Sequence, residues 1–317
     1  MKPSRLGIEI GGTKIQVVLG DAGHTIRDRR RFVVDRSQGA AGIRAQIEEA
    51  IRSFQTSGAL FEGVGVGFGG PVNRKQGMVA CSHQIQDWEG FALAAWLNEL
   101  CHCPVYLDND ANVAALGESV AGAGRGAESV FYMTLGSGVG GGMVFHENIY
   151  HGNIPGESEL GHLRLDREGT RLEDVCSGWA VDRQIVECVR QHPDSKLAAC
   201  TRHMQEGQAK ALSVALSEGC PLAKRILDET TQALAFGLSH VIHLFHPSRL
   251  VVGGGLSMLG APLLNAVARQ LPQWVMEVFH PVPDLIVAQL GEDAVPVGAL
   301  CLTTRQGALP RVPSEDQ

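Results

Sequence analysis

The sequence predicts an α/β fold made of two related lobes, each opening on a β-hairpin and continuing as alternating strands and helices. Three segments carry this prediction. Residues 6–19, LGIEIGGTKIQVVL, are two apolar runs hinged on Gly11-Gly12-Thr13-Lys14. Residues 130–145, VFYMTLGSGVGGGMVF, repeat the plan around Gly136-Ser137-Gly138. Residues 249–257, RLVVGGGLS, read as a buried strand ending in Gly253-Gly254-Gly255 ahead of a helical stretch. At 317 residues the chain is long for one core, and two lobes are the ordinary outcome.

The elements follow in order. After the first hairpin, the charged stretch Asp28 to Arg31 reads as a strand edge or turn. Ile43, Ile47, Ala50, Ile51 and Phe54 recur at helical spacing and predict a helix from about Gly42 to Thr56. FEGVGVGFGGPV (61–72) is a buried strand running into a glycine-proline turn, and 88–101 a short loop and a helix. PVYLDND (104–110) is a strand ending in polar residues, followed by a helix over 111–124 that closes on glycines. The pattern restarts at 130, and the lobe boundary falls near Gly122 to Gly126. A polar region (146–178), a helix from about Ala180 to Gln191 and a helix-rich stretch over 195–245 come next, with 221–245 as its long amphipathic segment. The strand at 249–253, a helix near 261–279, a strand at 284–290 and a helix from about Pro296 to Gln306 complete the order, and the tail LPRVPSEDQ is expected to be disordered.

Composition is that of a globular protein, with 44% hydrophobic and 19% charged residues and 39 glycines that mark tight turns. A net charge of −7 argues against a nucleic-acid-binding surface, which needs a basic face. No apolar run reaches membrane-span length, the start MKPSRLGIEI has no signal-peptide core, and only five residues precede the first hairpin, too few for a helix-turn-helix. Eight scattered cysteines resemble free thiols in a reducing compartment. The chain is therefore expected to be cytoplasmic, with no membrane and no nucleic-acid partner.

A hairpin tip of glycines has almost no side chain to keep a ligand away. Its backbone N–H groups can approach an anion, with the Thr13 hydroxyl and the Lys14 charge beside them. Taken alone, such a tip is equally an ordinary glycine turn. The P-loop pattern GxxxxGK[ST] is absent. Two such hairpins and a strand–glycine–helix turn suit a nucleotide lying across two lobes. The candidate for catalysis is Asp110, where a strand gives way to a helix. Ligands bind at such strand ends, and a carboxylate there can take the proton of a hydroxyl attacking a γ-phosphate. The competing reading is a helix N-cap, which Asp and Asn favour anyway. Asp108, Asn109, Asp110 and Asn112 crowd one turn with more polar groups than capping needs. Glu159 and His162 in SELGH, and Glu173 beyond, are groups that grip vicinal hydroxyls.

Two patterns mislead. GxGxxG occurs at Gly65/Gly67/Gly70 and Gly136/Gly138/Gly141, but strand residues continue after Gly142, whereas the dinucleotide fingerprint opens a helix. Cys101-His102-Cys103 has no second ligand pair to complete a metal site.

These residues resemble the ROK group (repressors, open reading frames, kinases) of the actin-like ATPase superfamily, over essentially 6–305. The first phosphate motif appears as EIGGTK, the catalytic motif as NDAN (109–112), the second phosphate motif as LGSGVGGG, the sugar segment as SELGH and the adenosine turn as VVGGGLS. The resemblance implies a two-lobed, ribonuclease H-like fold of duplicated sheet-plus-helices lobes with a cleft between. The lobes would span 1–121 and 122–295, with a C-terminal helix returning to the first lobe and a tail over 296–317. It further implies a glucokinase-like, dimeric kinase that moves the γ-phosphate of ATP to a hexose hydroxyl with Mg²⁺. Asp110 would be the base. Asn109, Glu159, His162, Glu173 and Gly70 would hold the sugar. Gly11, Gly12, Thr13, Lys14, Gly136, Ser137, Gly138, Gly254 and Gly255 would hold the nucleotide, and Glu9 would hold Mg²⁺ through water. The chain departs from the family pattern in three places. Glu9 stands where the family carries Asp. The zinc segment CxCGxxGC is absent, so no structural zinc is expected and packing alone should hold the loop carrying His162 and Glu173. Gly69 replaces a proline, and an asparagine usual near Gln84 is missing. The alternative is a catalytically silent sugar sensor of the same fold, suggested by Glu9 and the stripped loop.

Overall fold

The two apolar runs around the first glycine turn form β1 (Ser4–Ile10) and β2 (Lys14–Gly20), paired antiparallel with Glu9 opposite Gln16. The structure is a computed structural model and describes residues 4–82, 85–156, 158–205 and 207–304. The charged stretch becomes β3 (Ile26–Val33), an edge strand antiparallel to β2, where exposed charge discourages further pairing. Then come α1 (Gly39–Thr56), β4 (Phe61–Phe68), the ribbon β5 (Val72–Asn73) and β6 (Met78–Val79), α2 (Leu93–Cys101), β7 (Val105–Asn109) and α3 (Asp110–Ala121). The second half holds β8 (Ser129–Leu135), β9 (Val139–Phe145), β10 (Asn148–Ile149), α4 (Leu172–Cys176), α5 (Gly178–Gln191), α6 (Lys196–Thr201), α7 (Ala211–Ser217) and α8 (Pro221–Phe245). It ends with β11 (Arg249–Gly253), α9 (Ala261–Gln270), β12 (Asp284–Val287) and α10 (Ala294–Leu302).

Both halves arrange their strands alike. One five-stranded sheet runs β3-β2-β1-β4-β7 and the other β10-β9-β8-β11-β12. In each, the strand that starts the hairpin is central and pairs parallel with the first strand after a helical crossover. The duplicated plan and the mixed sheets are those of the actin-like fold expected from the sequence. The chain divides into two compact units, one of Met1–Gly126, Gly142–Glu157 and Glu292–Gln317, the other of Ala127–Gly141 and Ser158–Gly291. No described helix is long and apolar enough to cross a membrane.

The core of the first unit forms where periodicity placed it. Ile43, Ile47, Ile51 and Phe54 of α1 and Leu6, Ile8, Val64 and Val66 of the sheet are all at most 1% exposed. The other face of this sheet receives α10, and here the glycines of the spurious GxGxxG find their cause. A Cβ at Gly65 would lie 1.8 Å from the Ala299 carbonyl oxygen, and one at Gly298 would lie 1.8 Å from that of Val113. These glycines allow a helix backbone to touch β4 and α3, so they serve helix packing.

Some element limits differ from the sequence reading. The helix expected over 261–279 stops at Gln270 and gives way to two 3₁₀ turns, Leu271–Trp274 and Glu277–Phe279. Pro272 has no N–H to extend it. The strand expected at 284–290 ends at Val287. Gln84, the end of the last expected helix at Gln306 and the tail LPRVPSEDQ lie outside the described residues.

Candidate active site

In the first unit, the β1–β2 turn holds Gly11 and Lys14 together through a Gly11 N–H bond to the Lys14 carbonyl at 3.1 Å. Thr13 is exposed at its tip, and its carbonyl accepts from Val34 N–H at 2.9 Å. The Arg36 guanidinium donates to the Gly12 carbonyl at 3.2 Å. Lys14 turns its ammonium toward Glu9, 3.6 Å from Oε1, while Gln16 Nε2 donates to Glu9 Oε2 at 2.7 Å. Burial pushes the Glu9 carboxyl above its ordinary range, against the opposing pull of Lys14. The Gln16 amide has one possible orientation, because its oxygen accepts from Arg29 at 3.1 Å and from Arg31 at 2.9 Å.

At the β7–α3 junction the capping residue is Asn109, whose Oδ1 accepts from Ala111 N–H at 2.9 Å and Asn112 N–H at 3.3 Å. Asp110 therefore enters α3 as its first residue and is not the cap. The Asn109 amide also donates to the Gly70 carbonyl at 3.3 Å. Gly69 donates its N–H to the Ile10 carbonyl at 2.8 Å, and a Cβ at Gly69 would lie 3.3 Å from Asp110 Oδ2 and 3.6 Å from the Gly11 Cα. The fold thus brings Gly11, Gly69, Gly70, Asn109 and Asp110 together at the carboxyl ends of β1, β4 and β7, where ligands bind in α/β sheets.

The second unit gathers another set. The turn Gly136-Ser137-Gly138 lies against the start of α5, with Gly178 N–H donating to the Gly136 carbonyl at 2.7 Å. Ser177 caps that helix by accepting from Ala180 N–H at 3.1 Å. Backbone N–H groups at a glycine turn beside a 14-residue helix start favour an anion. Gly254, at φ +81°, lies so close to β8 that a Cβ would come within 2.6 Å of the Leu135 backbone, whereas Gly255 faces open space. A cavity of about 460 Å³ opens between these turns, lined by Gly136, Ser137, Trp179, Lys210, Gly255 and Met258, among others. That volume suits a small ligand. Asp182 holds its far wall by accepting from Ala209 N–H at 2.6 Å.

Glu173 lies next to the same turn, its Oε2 3.3 Å from where a Gly138 Cβ would sit. It pairs with Arg171 at 2.7 Å and has His162 Nε2 at 3.9 Å. Glu159 is exposed just before the 3₁₀ turn Leu160–His162. The loop carrying these residues is not held by packing alone. Leu172 N–H bonds the Leu163 carbonyl at 2.9 Å, Asp166 accepts from Gly169 and Thr170 N–H, and Arg171 also pairs with Asp174 at 2.8 Å. Cys176 is fully buried, donates to the Thr230 carbonyl at 3.3 Å and has its thiol pushed well up by burial.

Sequence reasoning found the glycine turns and the NDAN junction but missed Gln16, His151, Arg171, Trp179 and Lys210. All five stand in polar or mixed context, and only Trp179, directly after a Ser-Gly helix start, carried a signal that could have been read.

A sequence model described as the ROK family matches residues 5–306. The chain belongs to the ROK family. Among ROK relatives, it is 30% identical over 314 residues to the glucokinase of Halalkalibacterium halodurans, covering 95% of each chain. It is 32% identical over 306 residues to the glucokinase of Streptomyces coelicolor, covering 93% of this chain and 95% of that one. The solved ROK glucokinase of Streptomyces griseus, in complex with glucose and AMPPNP, superposes with a TM-score of 0.81 at 30% identity over 94% of this chain and 98% of that one.

Proposed function

We propose that this ROK protein is an ATP-dependent sugar kinase that phosphorylates a hexose, glucose or a close relative, with Asp110 as the general base. The observation that carries the reading is the division of labour at the β7–α3 junction. Asn109 caps the helix, so the Asp110 carboxyl is not required for capping and stands beside Gly69 at the strand ends. The glucokinase relatives and the neighbour solved with glucose and AMPPNP support sugar and ATP as the ligands.

In this reading the second unit holds the nucleotide. The adenosine moiety lies in the cavity by Trp179, Met258 and the Gly254-Gly255 turn, and the phosphates meet the N–H groups of Gly136-Ser137-Gly138. The first-unit turn, Gly11 to Lys14, offers further phosphate donors. Asn109 and the carbonyl end of β4 at Gly70, with Glu159, His162 and Glu173, hold sugar hydroxyls. Asp110 takes the hydroxyl proton as that oxygen bonds the γ-phosphorus and the bond to the departing ADP breaks.

A magnesium ion carried on the nucleotide phosphates would need only one carboxylate, reached through water. Glu9 is the carboxylate in place for it, with one oxygen tied to Gln16. An ion held there would neutralise phosphate charge.

The test is an ADP-release assay with ATP, Mg²⁺ and a panel of hexoses. Sugar-dependent release is expected, strongest with glucose or a near relative. No stimulation by any sugar, with sugar binding still seen by calorimetry, would replace the kinase with the silent sensor.

A further inference from the structure

Asp108 is a carboxylate inside the protein, 4% exposed, one residue before the sugar-contacting Asn109. A buried charge is tolerated only when its lone pairs are met. Its Oδ1 accepts from the Asn109 N–H at 2.8 Å and from Asn112 Nδ2 at 3.0 Å. Its Oδ2 meets His151 Nε2 at 2.5 Å. An ionised carboxylate only accepts, so the imidazole carries hydrogen at Nε2 in this contact. Among the described residues, the ion-pair partner of Asp108 is His151.

The His151 side chain is 18% exposed and belongs, like Asp108, to the first unit. Gly156 backs it closely, since a Cβ there would lie 3.1 Å from His151 Cβ. The Gly156 carbonyl also lies 3.5 Å from Asn112 Nδ2. The Asn112 amide is fixed in turn, because rotating it would put Oδ1 against the Asp108 carboxylate. It holds this orientation even though Oδ1 is left buried without a partner. One carboxylate thus ties together the residue before Asp110 and a residue one half-turn after it, and one imidazole completes that carboxylate.

We propose that His151 is a positioning residue for this site, acting on Asn109 and Asp110 through Asp108. Without its donor, Asp108 Oδ2 is a buried acceptor with nothing to meet. The carboxylate then turns toward another donor, and that rotation disturbs the two Oδ1 bonds that bracket Asp110. The proposal rests on reading Asp110 as the base.

The experiment compares two variants of similar bulk in the full chain. His151→Gln keeps an N–H donor at comparable reach, and His151→Met keeps the volume without one. With glucose, ATP and Mg²⁺, His151→Met is expected to lower kcat by about 10- to 100-fold, the rate equivalent of a hydrogen bond to a buried charge. KM for glucose should change far less, and His151→Gln should stay within about 3-fold of the parent on the same scale. A second readout needs no turnover. Amide exchange at Ala111 and Asn112, whose N–H groups bond Asn109 Oδ1, should quicken in the Met variant and not in the Gln variant. Equal behaviour of the two variants in both readouts overturns the proposal. So does a Met variant that fails to fold while the Gln variant folds, which would assign the contact to stability. A parent that phosphorylates no hexose would remove the kinase reading and leave the exchange comparison to decide the positioning role.

Discussion

Glu9 and Gln16 face each other across the β1–β2 pair, and Gln16 Nε2 donates to Glu9 Oε2 at 2.7 Å from a side chain that is fully buried. Gln16 also donates to the Glu292 carbonyl at 3.0 Å, while its oxygen takes Arg29 and Arg31. Arg29 continues to Asp293 at 2.7 Å. The Glu9 carboxylate is therefore oriented by a polar hub joining three strands to the approach of α10. Gln16→Leu should destabilise the fold by about 2–3 kcal/mol, the cost of leaving the largely buried Glu9 carboxylate without its Gln16 donor. In a double-mutant cycle with Glu9→Gln, read by denaturant unfolding, the two effects should fail to add by about 1 kcal/mol. Strict additivity would show that the two side chains are energetically independent.

Asp110→Ala should lower kcat by about 10²- to 10⁴-fold, the usual range for loss of a general base, while calorimetry still detects sugar binding. Because Asn109 supplies the cap, this variant keeps both N–H bonds of the cap. Asn109→Ala removes the cap and should cost about 0.5–2 kcal/mol of stability. A near-parental rate in Asp110→Ala would take the base away from this residue. A large stability loss in that variant and none in Asn109→Ala would reverse the two roles.

Most of the fold was legible because burial and periodicity are local signals. The spacing of Ile43, Ile47 and Ile51 in α1 and the apolar run of β11 each state their own structure. The glycine turns were legible for a related reason, since a run of glycines between two apolar runs marks a tight turn in the sequence itself. The roles at 109 and 110 were not separable in sequence, because Asn and Asp cap equally well and only the structure shows which one does. The purpose of Gly65 was hidden too. The helix that needs it lies more than 200 residues later, and no local pattern reports such a contact. His151 was missed because its meaning lies wholly in a partner 43 residues away.

The turn after β11 offers a matched pair of glycines. At Gly254 an added methyl meets the Leu135 backbone at 2.5 to 2.6 Å and the φ of +81° disfavours any L side chain. Gly254→Ala should cost about 2 kcal/mol or more and lower the melting temperature by several degrees. At Gly255 a Cβ meets nothing within 4 Å, so Gly255→Ala should leave stability within about 0.5 kcal/mol of the parent. Any rise in KM for ATP in Gly255→Ala then reports a methyl pressed against bound nucleotide. Equal destabilisation by the two variants would contradict the geometry of the turn.

Trp179 is half-exposed on the cavity beside Gly136, an unusual place to leave an indole unless something covers it. Trp179→Ala should raise KM for ATP about 2- to 10-fold, in keeping with an aromatic stacking contact, and leave KM for sugar unchanged. AMPPNP should quench the indole fluorescence of the parent and do so much less in Trp179→Phe. Unaltered quenching in Trp179→Phe would place the responding tryptophan elsewhere.

The thiols offer a check on the remaining chemistry. All eight cysteines are outside any disulfide, but only Cys81 and Cys200 are partly exposed, and the other six are buried. Burial pushes Cys101 up to about 12 and Cys103 up to about 11 from an ordinary 9.0, so neither supplies a thiolate near neutral pH. A thiol-specific reagent at pH 8 should therefore label at most those two partly exposed positions in the native protein, and all eight after denaturation. The same shifts give stability a definite pH slope. The folded chain holds these protons more tightly than the unfolded chain does. Their contribution is then complete below pH 9.0 and is lost as pH rises toward 11 to 12. Replacing Cys101 and Cys103 together by alanine should flatten the decline in melting temperature above pH 9. Rapid native labelling of either cysteine at pH 8, or an unchanged slope in the double variant, would show that these two thiols are not buried as the structure places them.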